Sequence, residues 1–251
     1  MFVEVCGLTN VGQIRKLNED SFKIGGFENG KALGVCVLAD GMGGHNAGDI
    51  ASSVAANLLC SDLVERLGET DSLKISLNIA AAIDFANSEV YNMSLKNPEQ
   101  AGMGTTIVVA YVNEERIRIA NIGDSRAYLI TDKIIKKITV DHSVVEDLVR
   151  SGSITRAQAR RHPDKNIITR ALGTEKFVDA DYYDYIPKDG DTILLCSDGL
   201  WEMIDDKEIK AIVHSCEDVK ATLEKLIDAA NKSGGHDNIT AVALQFKKEE
   251  K

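Results

Sequence analysis

The feature that most constrains this chain is a repeated junction. An apolar run long enough for a buried strand ends in an aspartate flanked by glycine or another turn residue. Leu33 to Ala39 leads directly into Asp40-Gly41-Met42-Gly43-Gly44. Thr192-Ile193-Leu194-Leu195-Cys196 leads into Ser197-Asp198-Gly199, and Ile117 to Ile122 leads into Gly123-Asp124-Ser125. His236-Asp237-Asn238 reverses the order and precedes Ile239 to Phe246. Apolar runs bounded in this way read as buried strands. A sheet made of them places several carboxylates at strand ends, facing one cleft. Close like charges repel, and such a cluster needs cations to be stable. The pattern therefore points to a group of divalent metal ions.

Size and charge narrow the alternatives. The 251 residues fit one large domain or two small ones, with 44% hydrophobic and 27% charged residues, as in globular proteins. A formal net charge of −10 argues against general affinity for nucleic acid or anionic membranes. No apolar run approaches the roughly 20 residues of a membrane span. Met1-Phe2-Val3-Glu4-Val5 lacks the basic start and long apolar stretch of a signal peptide, so a cytoplasmic location is expected. The five cysteines are scattered, without a Cys-x-x-Cys pair, which excludes a disulfide framework and zinc-ligand spacing. Cys6, Cys36 and Cys196 lie inside apolar runs, as small buried hydrophobes do.

Periodicity outlines the elements. Phe2 to Leu8 and Ser21 to Ile24 read as strands, with a polar loop from Gly12 to Asp20 between them and a turn at Gly25-Gly26. Ile50, Ala51, Val54, Ala55, Leu58, Leu59 and Leu63 mark an amphipathic helix. Ile79, Ile83, Ala86 and Val90 mark a second, over about 71–95, stopped by Asn97-Pro98. Gly104 to Val112 with Arg116 to Ile122, and Ala127 to Ile130 with Ile134 to Ile138, predict two hairpins. Val144 to Gly152 and a capping box at Thr155 predict a helical insert carrying Arg150, Arg156, Arg160, Arg161, His162, Lys165 and Arg170. That basic segment reads either as solvated surface or as a cradle for a phosphorylated substrate. Asp191 to Cys196, a helix over Val219 to Ala230 and a final strand from Ile239 complete the chain. Two packed sheets with helices outside bury all these faces.

Carboxylates without soft ligands select hard cations, Mg²⁺ or Mn²⁺. Two such ions, about 4 Å apart, share a carboxylate and a water that becomes a nucleophile at neutral pH. That chemistry suits in-line attack on a phosphate ester, with Arg15 beside Glu19-Asp20 placed to hold phosphate oxygens. A Gly-x-Ser-x-Gly elbow, a Walker loop and an EF-hand are all absent from the sequence.

Seven ordered segments then carry a resemblance. They are Arg15-x-x-Asn18-Glu19-Asp20, Asp40-Gly41-Met42-Gly43-Gly44, Gly104-Thr105-Thr106, Gly123-Asp124-Ser125-Arg126, Asp141-His142-Ser143, Ser197-Asp198-Gly199-Leu200 and Gly235-His236-Asp237-Asn238-Ile239-Thr240. Together, from about Gly7 to Phe246, they resemble the metal-dependent protein phosphatases of type 2C, in their free-standing bacterial form. The resemblance implies an α+β fold: a four-layer αββα sandwich of two antiparallel sheets flanked by helices, as a single domain over 1–251 with a flap at about 143–172. It implies Asp40 as a bridge between two Mn²⁺ or Mg²⁺ ions, with the Gly41 carbonyl, Asp198 and Asp237 as further ligands of the first. Glu19 and Asp20 match the acids of the second ion, and Asp124 with Asp198 a weak third site. Arg15, Asp40 and Asp198 match catalytic positions, Arg15 being the phosphate-binding arginine. Thr105-Thr106 and Asn238 would support ligand geometry.

Many eukaryotic members carry a histidine where this chain has Met42, and that histidine is proposed to protonate the leaving oxygen. Methionine cannot, so a metal-bound water takes the role, with His45 the weaker substitute. The other histidines and Trp201 read as structural. The expected activity is hydrolysis of phosphoserine and phosphothreonine in proteins by a metal-bridging hydroxide, opposing a serine/threonine kinase, by a monomer. A two-metal hydrolase of small phosphate esters or of another phosphoamino acid, and a silent phosphoprotein-binding relative, are the alternatives. A silent relative should lack some of these acids, and none is missing.

Overall fold

The protein is described by a computed structural model over residues 1–43, 47–113 and 116–248. Strands β1 (Phe2–Asn10), β2 (Asp20–Gly26) and β3 (Gly34–Met42) precede helices α1 (Ala47–Glu65) and α2 (Ser72–Lys96). Next come β4 (Gly104–Thr105), β5 (Ile107–Asn113), β6 (Arg116–Ile122), β7 (Arg126–Ile130) and β8 (Ile135–Lys137). The short helices α3 (Val144–Arg150) and α4 (Arg156–Ala159) follow, then β9 (Asp181–Tyr185) and β10 (Thr192–Cys196). Helices α5 (Asp198–Trp201), α6 (Asp206–His214) and α7 (Val219–Lys232) lead into β11 (Ile239–Lys247).

One sheet runs β1-β11-β10-β7-β8 and the other β2-β3-β5-β6-β9, with β4 on β3, every pairing antiparallel. Strand alternation explains the layers. In β3, Val35, Val37 and Ala39 face α1 and α2, while Cys36 and Leu38 face the other sheet. In β11, Val242, Leu244 and Phe246 enter the layer between the sheets, and Ile239, Ala241 and Ala243 pack on the side of α6 and α7. Three apolar clusters thus separate four layers, the expected αββα sandwich.

Local chemistry sets the helices. Asp71 caps α2 by accepting from the amides of Leu73 and Lys74, and Pro98 follows its end. Thr155 and Gln158 form the predicted capping box of α4. The small residues Ala47, Gly48, Ala51, Ser52, Ala55 and Ala56 are all buried, so they bring α1 close onto its sheet. Among the described residues, no helix is long and apolar enough to cross a membrane.

Three details depart from the sequence reading. Gly25 and Gly26 stay in β2, paired with Val35 and Gly34, and the reversal falls at 27–33. The short half-exposed edge strand β9 escaped notice because Asp-Tyr-Tyr-Asp-Tyr carries no aliphatic run. Helices α5 and α6 are too short for periodicity to reveal. The turn expected around Asn113-Glu114-Glu115 lies partly outside the described residues.

Leu59 is fully buried between α1 and its sheet, whereas Leu77 on α2 is 60% exposed. Leu59→Ala is expected to destabilise the fold by about 2–5 kcal/mol in urea denaturation, and Leu77→Ala by less than about 0.5 kcal/mol.

Candidate metal centre

Pairing and parity bring the acids together. Asp20 and Asp40 are direct partners in the antiparallel β2–β3 ladder. Asp20 shares its strand face with Phe22 and Ile24, and Asp40 with Cys36 and Leu38, all in the inter-sheet layer. Both carboxylates therefore sit at one open end of the gap between the sheets. The other sheet supplies the facing pair. Ser197, at the end of β10, donates from its amide to Thr240 O (3.0 Å), and Thr240 N donates to Ser197 Oγ (3.0 Å). That stitch sets Asp198 and Asp237 at adjacent strand ends. Ser197 Oγ also donates to Asp20 Oδ2 across the gap, at 2.7 Å.

The backbone around Asp40 is pinned on every side. Its amide donates to Thr106 Oγ1 (3.1 Å), and its carbonyl accepts from Thr106 N (2.8 Å) and Thr105 Oγ1 (2.9 Å). Gly41 N donates to Glu19 O at 3.1 Å. A Cβ at Gly41 would lie 2.0 Å from Gly48 O, so only glycine lets the start of α1 approach this strand end. Asn238 anchors the loop before β2: it donates to Val11 O (3.0 Å) and Leu17 O (2.9 Å) and accepts from Glu19 N (2.8 Å). Arg15, at the tip of that loop, donates to Asp237 Oδ2 at 2.7 Å and stays half-exposed. Of the expected residues, Arg15, Glu19, Asp20, Asp40, Gly41, Asp198 and Asp237 thus converge, and Thr105 and Asn238 hold them.

Asp124 joins from the β6–β7 corner. Its carbonyl accepts from Trp201 Nε1 (3.2 Å), at the end of the turn of helix that begins at Asp198. Several residues around it gave no sequence signal of their role. Buried His142 accepts at Nδ1 from Gly123 N (3.0 Å), and its Nε2 lies 3.3 Å from Asp181. Arg126 stacks 3.3 Å from the Trp201 ring centroid and pairs with buried Asp141 at 2.7 Å. Trp201, expected as plain core, therefore ties Asp124 to the Asp198 helix. Ser197 was passed over because a serine before an Asp-Gly pair has no distinguishing spacing; only the cross-strand register shows its use.

The electrostatics fit a cation. Burial, reinforced by Asp20, Asp198, Asp124 and Asp237, pushes the Asp40 carboxyl well above the usual range. Burial followed by Asp124 and Asp237 does the same to Asp198. Burial carries Asp20 to about 6 and, with Asp141, Asp124 to about 7. Among the described residues, Asp20 Oδ1 is buried with no hydrogen-bond partner. Such carboxylates are destabilising as anions unless positive charge enters. Among the described residues, no three His, Cys, Asp or Glu side chains are gathered tightly enough to close round an ion by themselves. The donors brought together at this end of the gap are all oxygens, a set that suits hard divalent cations. His45 and Gly44 lie outside the described residues.

Asn238→Ala removes three contacts to the loop between Val11 and Glu19 while leaving every acid in place. Calorimetric titration is expected to show Mn²⁺ affinity reduced by about 10–100-fold. Unchanged affinity would show that the loop needs no such anchor.

Comparison with known proteins agrees with this geometry. The family described as Protein phosphatase 2C matches residues 13–242. The serine/threonine phosphatase stp of Listeria monocytogenes is 39% identical over 237 residues, covering 94% of this chain and 93% of its own. The crystal structure of the serine/threonine phosphatase Stp1 from Staphylococcus aureus superposes with a TM-score of 0.91 at 35% identity, over 99% of this chain and 96% of that one. The catalytic domain of the serine threonine protein phosphatase PstP, solved in complex with 2 manganese ions, superposes with a TM-score of 0.86 at 31% identity, over 98% of this chain and 99% of that one. A centre of buried and half-buried carboxylates between two sheets, on a chain matched over nearly its full length, leads to one assignment: the chain belongs to the protein phosphatase 2C family of metal-dependent serine/threonine phosphatases.

Proposed function

We propose that the acid-lined end of the inter-sheet gap is the active centre, where phosphoserine and phosphothreonine side chains of proteins are hydrolysed. The observation that carries this is the facing of Asp20 and Asp40 on one sheet with Asp198 and Asp237 on the other, Arg15 being tied to Asp237 at the rim. Asp40, the Gly41 carbonyl, Asp198 and Asp237 would hold one divalent ion, and Glu19 and Asp20, with Asp40 shared, a second. Asp124 with Asp198 would hold a weaker third. Mn²⁺ and Mg²⁺ both suit this donor set. Bound there, the ions supply an ionised water nucleophile at neutral pH and neutralise charge building on the phosphoryl oxygens.

The protein's own groups orient the ester. Arg15 has five N–H donors, and its hydrogen bond to Asp237 fixes the guanidinium while leaving others for phosphate oxygens. Asp40 and Asp20 are held from opposite sides, by Thr106 and Ser197, so the charge facing the phosphoryl group is preorganised. Met42 cannot protonate the leaving serine or threonine oxygen, which leaves that proton to water in the cleft. The flap, α3 and α4, closes at its base through the Ser143–Ile168 bridge and is pinned to the Asp198 helix by Lys165–Glu202 at 2.6 Å. The shared inter-sheet core supports reading 1–251 as one catalytic domain. A cytoplasmic monomer opposing a serine/threonine kinase completes the proposal.

Phosphate release from a phosphothreonine peptide tests it. Activity is expected with Mn²⁺, to vanish with chelator, and to fall by about a hundredfold or more in Asp198→Asn and Arg15→Ala. Full activity in chelator, or in Asp198→Asn, would place the chemistry elsewhere.

A further inference from the structure

A groove of about 450 Å³ opens beside the acid centre, between Met42, the end of the flap and the segment after it. Met42 lies two residues beyond Asp40 in β3, so the two side chains leave the same strand face, about 6–7 Å apart. An extended peptide advances about 3.3 Å per residue. With its phosphorylated residue at Asp40, a residue within two positions of it reaches this groove.

The walls define what fits. Met42, Ile168 and Phe177 make an apolar side, and Phe177 is 76% exposed. Glu175 and Asp179 line the same groove; both are exposed, and neither carboxylate takes part in an ion pair or hydrogen bond among the described residues. The one cation of the lining, Arg170, is already engaged by Asp181 (3.0 Å) and the Asp179 carbonyl (2.9 Å). Among the residues that line the groove, the uncompensated charges are therefore the two carboxylates. Lys176, next to the groove, holds its ammonium 5.3 Å from the Phe177 ring centroid, within cation–π range of that face.

An apolar wall leading to unpaired carboxylates matches an amphipathic side chain with an aliphatic stem and a cationic head. We propose that this groove is a specificity subsite that takes a lysine or arginine side chain within two positions of the phosphorylated serine or threonine. This rests on the phosphatase reading above and names a substrate preference for it. Phe177, Glu175 and Asp179 act on substrate choice and take no part in the reaction itself.

The test compares phosphothreonine peptides carrying Lys, Ala or Glu at each of the four flanking positions, with para-nitrophenyl phosphate as a substrate too small to enter the groove. The wild type is expected to favour a Lys-flanked peptide over its Glu counterpart by about tenfold in kcat/KM, through KM. The triple variant Phe177→Ala, Glu175→Gln, Asp179→Asn should lose that preference and keep its rate on para-nitrophenyl phosphate, which also reports that it folds. A control variant, Asp132→Asn with Glu208→Gln, removes two exposed acids remote from the groove and should retain the preference. Equal use of Lys and Glu peptides by the wild type overturns the proposal. So does a preference that survives in the triple variant, which would place it outside this groove, or one that disappears in the control, which would trace it to net charge. Failure of every protein on para-nitrophenyl phosphate with Mn²⁺ would instead overturn the phosphatase reading.

Discussion

Mutual repulsion among buried carboxylates is the constraint on which this architecture turns. Asp20 and Asp40 face one another across an antiparallel ladder, an arrangement that destabilises a sheet when both are charged. Asp198, Asp237 and Asp124 add to the same field. The fold tolerates this because the backbone around each acid is over-determined. Thr105 and Thr106 hold Asp40, Ser197 holds Asp20, Asn238 holds the Glu19 loop, and His142 holds the corner before Asp124. None of these contacts neutralises charge. They keep the acids where a cation can, and an ion bound there would add to the stability of the native state.

The two sheets divide the task. One contributes Asp20, Asp40 and Gly41, the other Asp198 and Asp237, and neither set would make a centre alone. The apolar layer built from Cys36, Leu38, Leu195, Val242 and Leu244 sets the spacing of the two halves, so the core also fixes the site geometry. Close approach at the rim requires special residues as well. A Cβ at Gly199 would lie 2.0 Å from Asn238 O, which is why the Asp198 turn can start directly against the head of β11.

The basic insert changes character once folded. Arg156 pairs with buried Glu146, Lys165 with Glu202, and Arg170 with Asp181. These cations attach the flap to its surroundings, while Arg150, Arg160 and Arg161 remain exposed. To the two readings that charge alone allowed, a substrate cradle and a solvated face, the structure adds a third for three of the seven residues: fastening. The groove beside Met42 arises from the same packing, since it forms only where the flap end returns past Thr105 through the Thr105–Leu172 bridge.

The two packed sheets, and the candidate acids at their strand ends, were legible in the sequence, because both are marked by local patterns. Strand alternation and apolar runs in β3, β10 and β11 are written residue by residue, and Asp-Gly junctions mark where each strand must stop. Short or polar elements such as β9, α5 and α6 lacked that signal, as their existence rests on ladder partners and packing rather than on periodicity. Tertiary structure decided which acids meet. Cross-strand register placed Asp20 on Asp40, Ser197 on Thr240 and Asn238 on the Glu19 loop, over separations of up to 227 residues. Tertiary structure likewise gave Trp201 and His142 their work and left Glu175 and Asp179 unpaired in a groove. The physical reason is that register, charge pairing and cavity shape belong to contacts between distant segments, which no local pattern encodes.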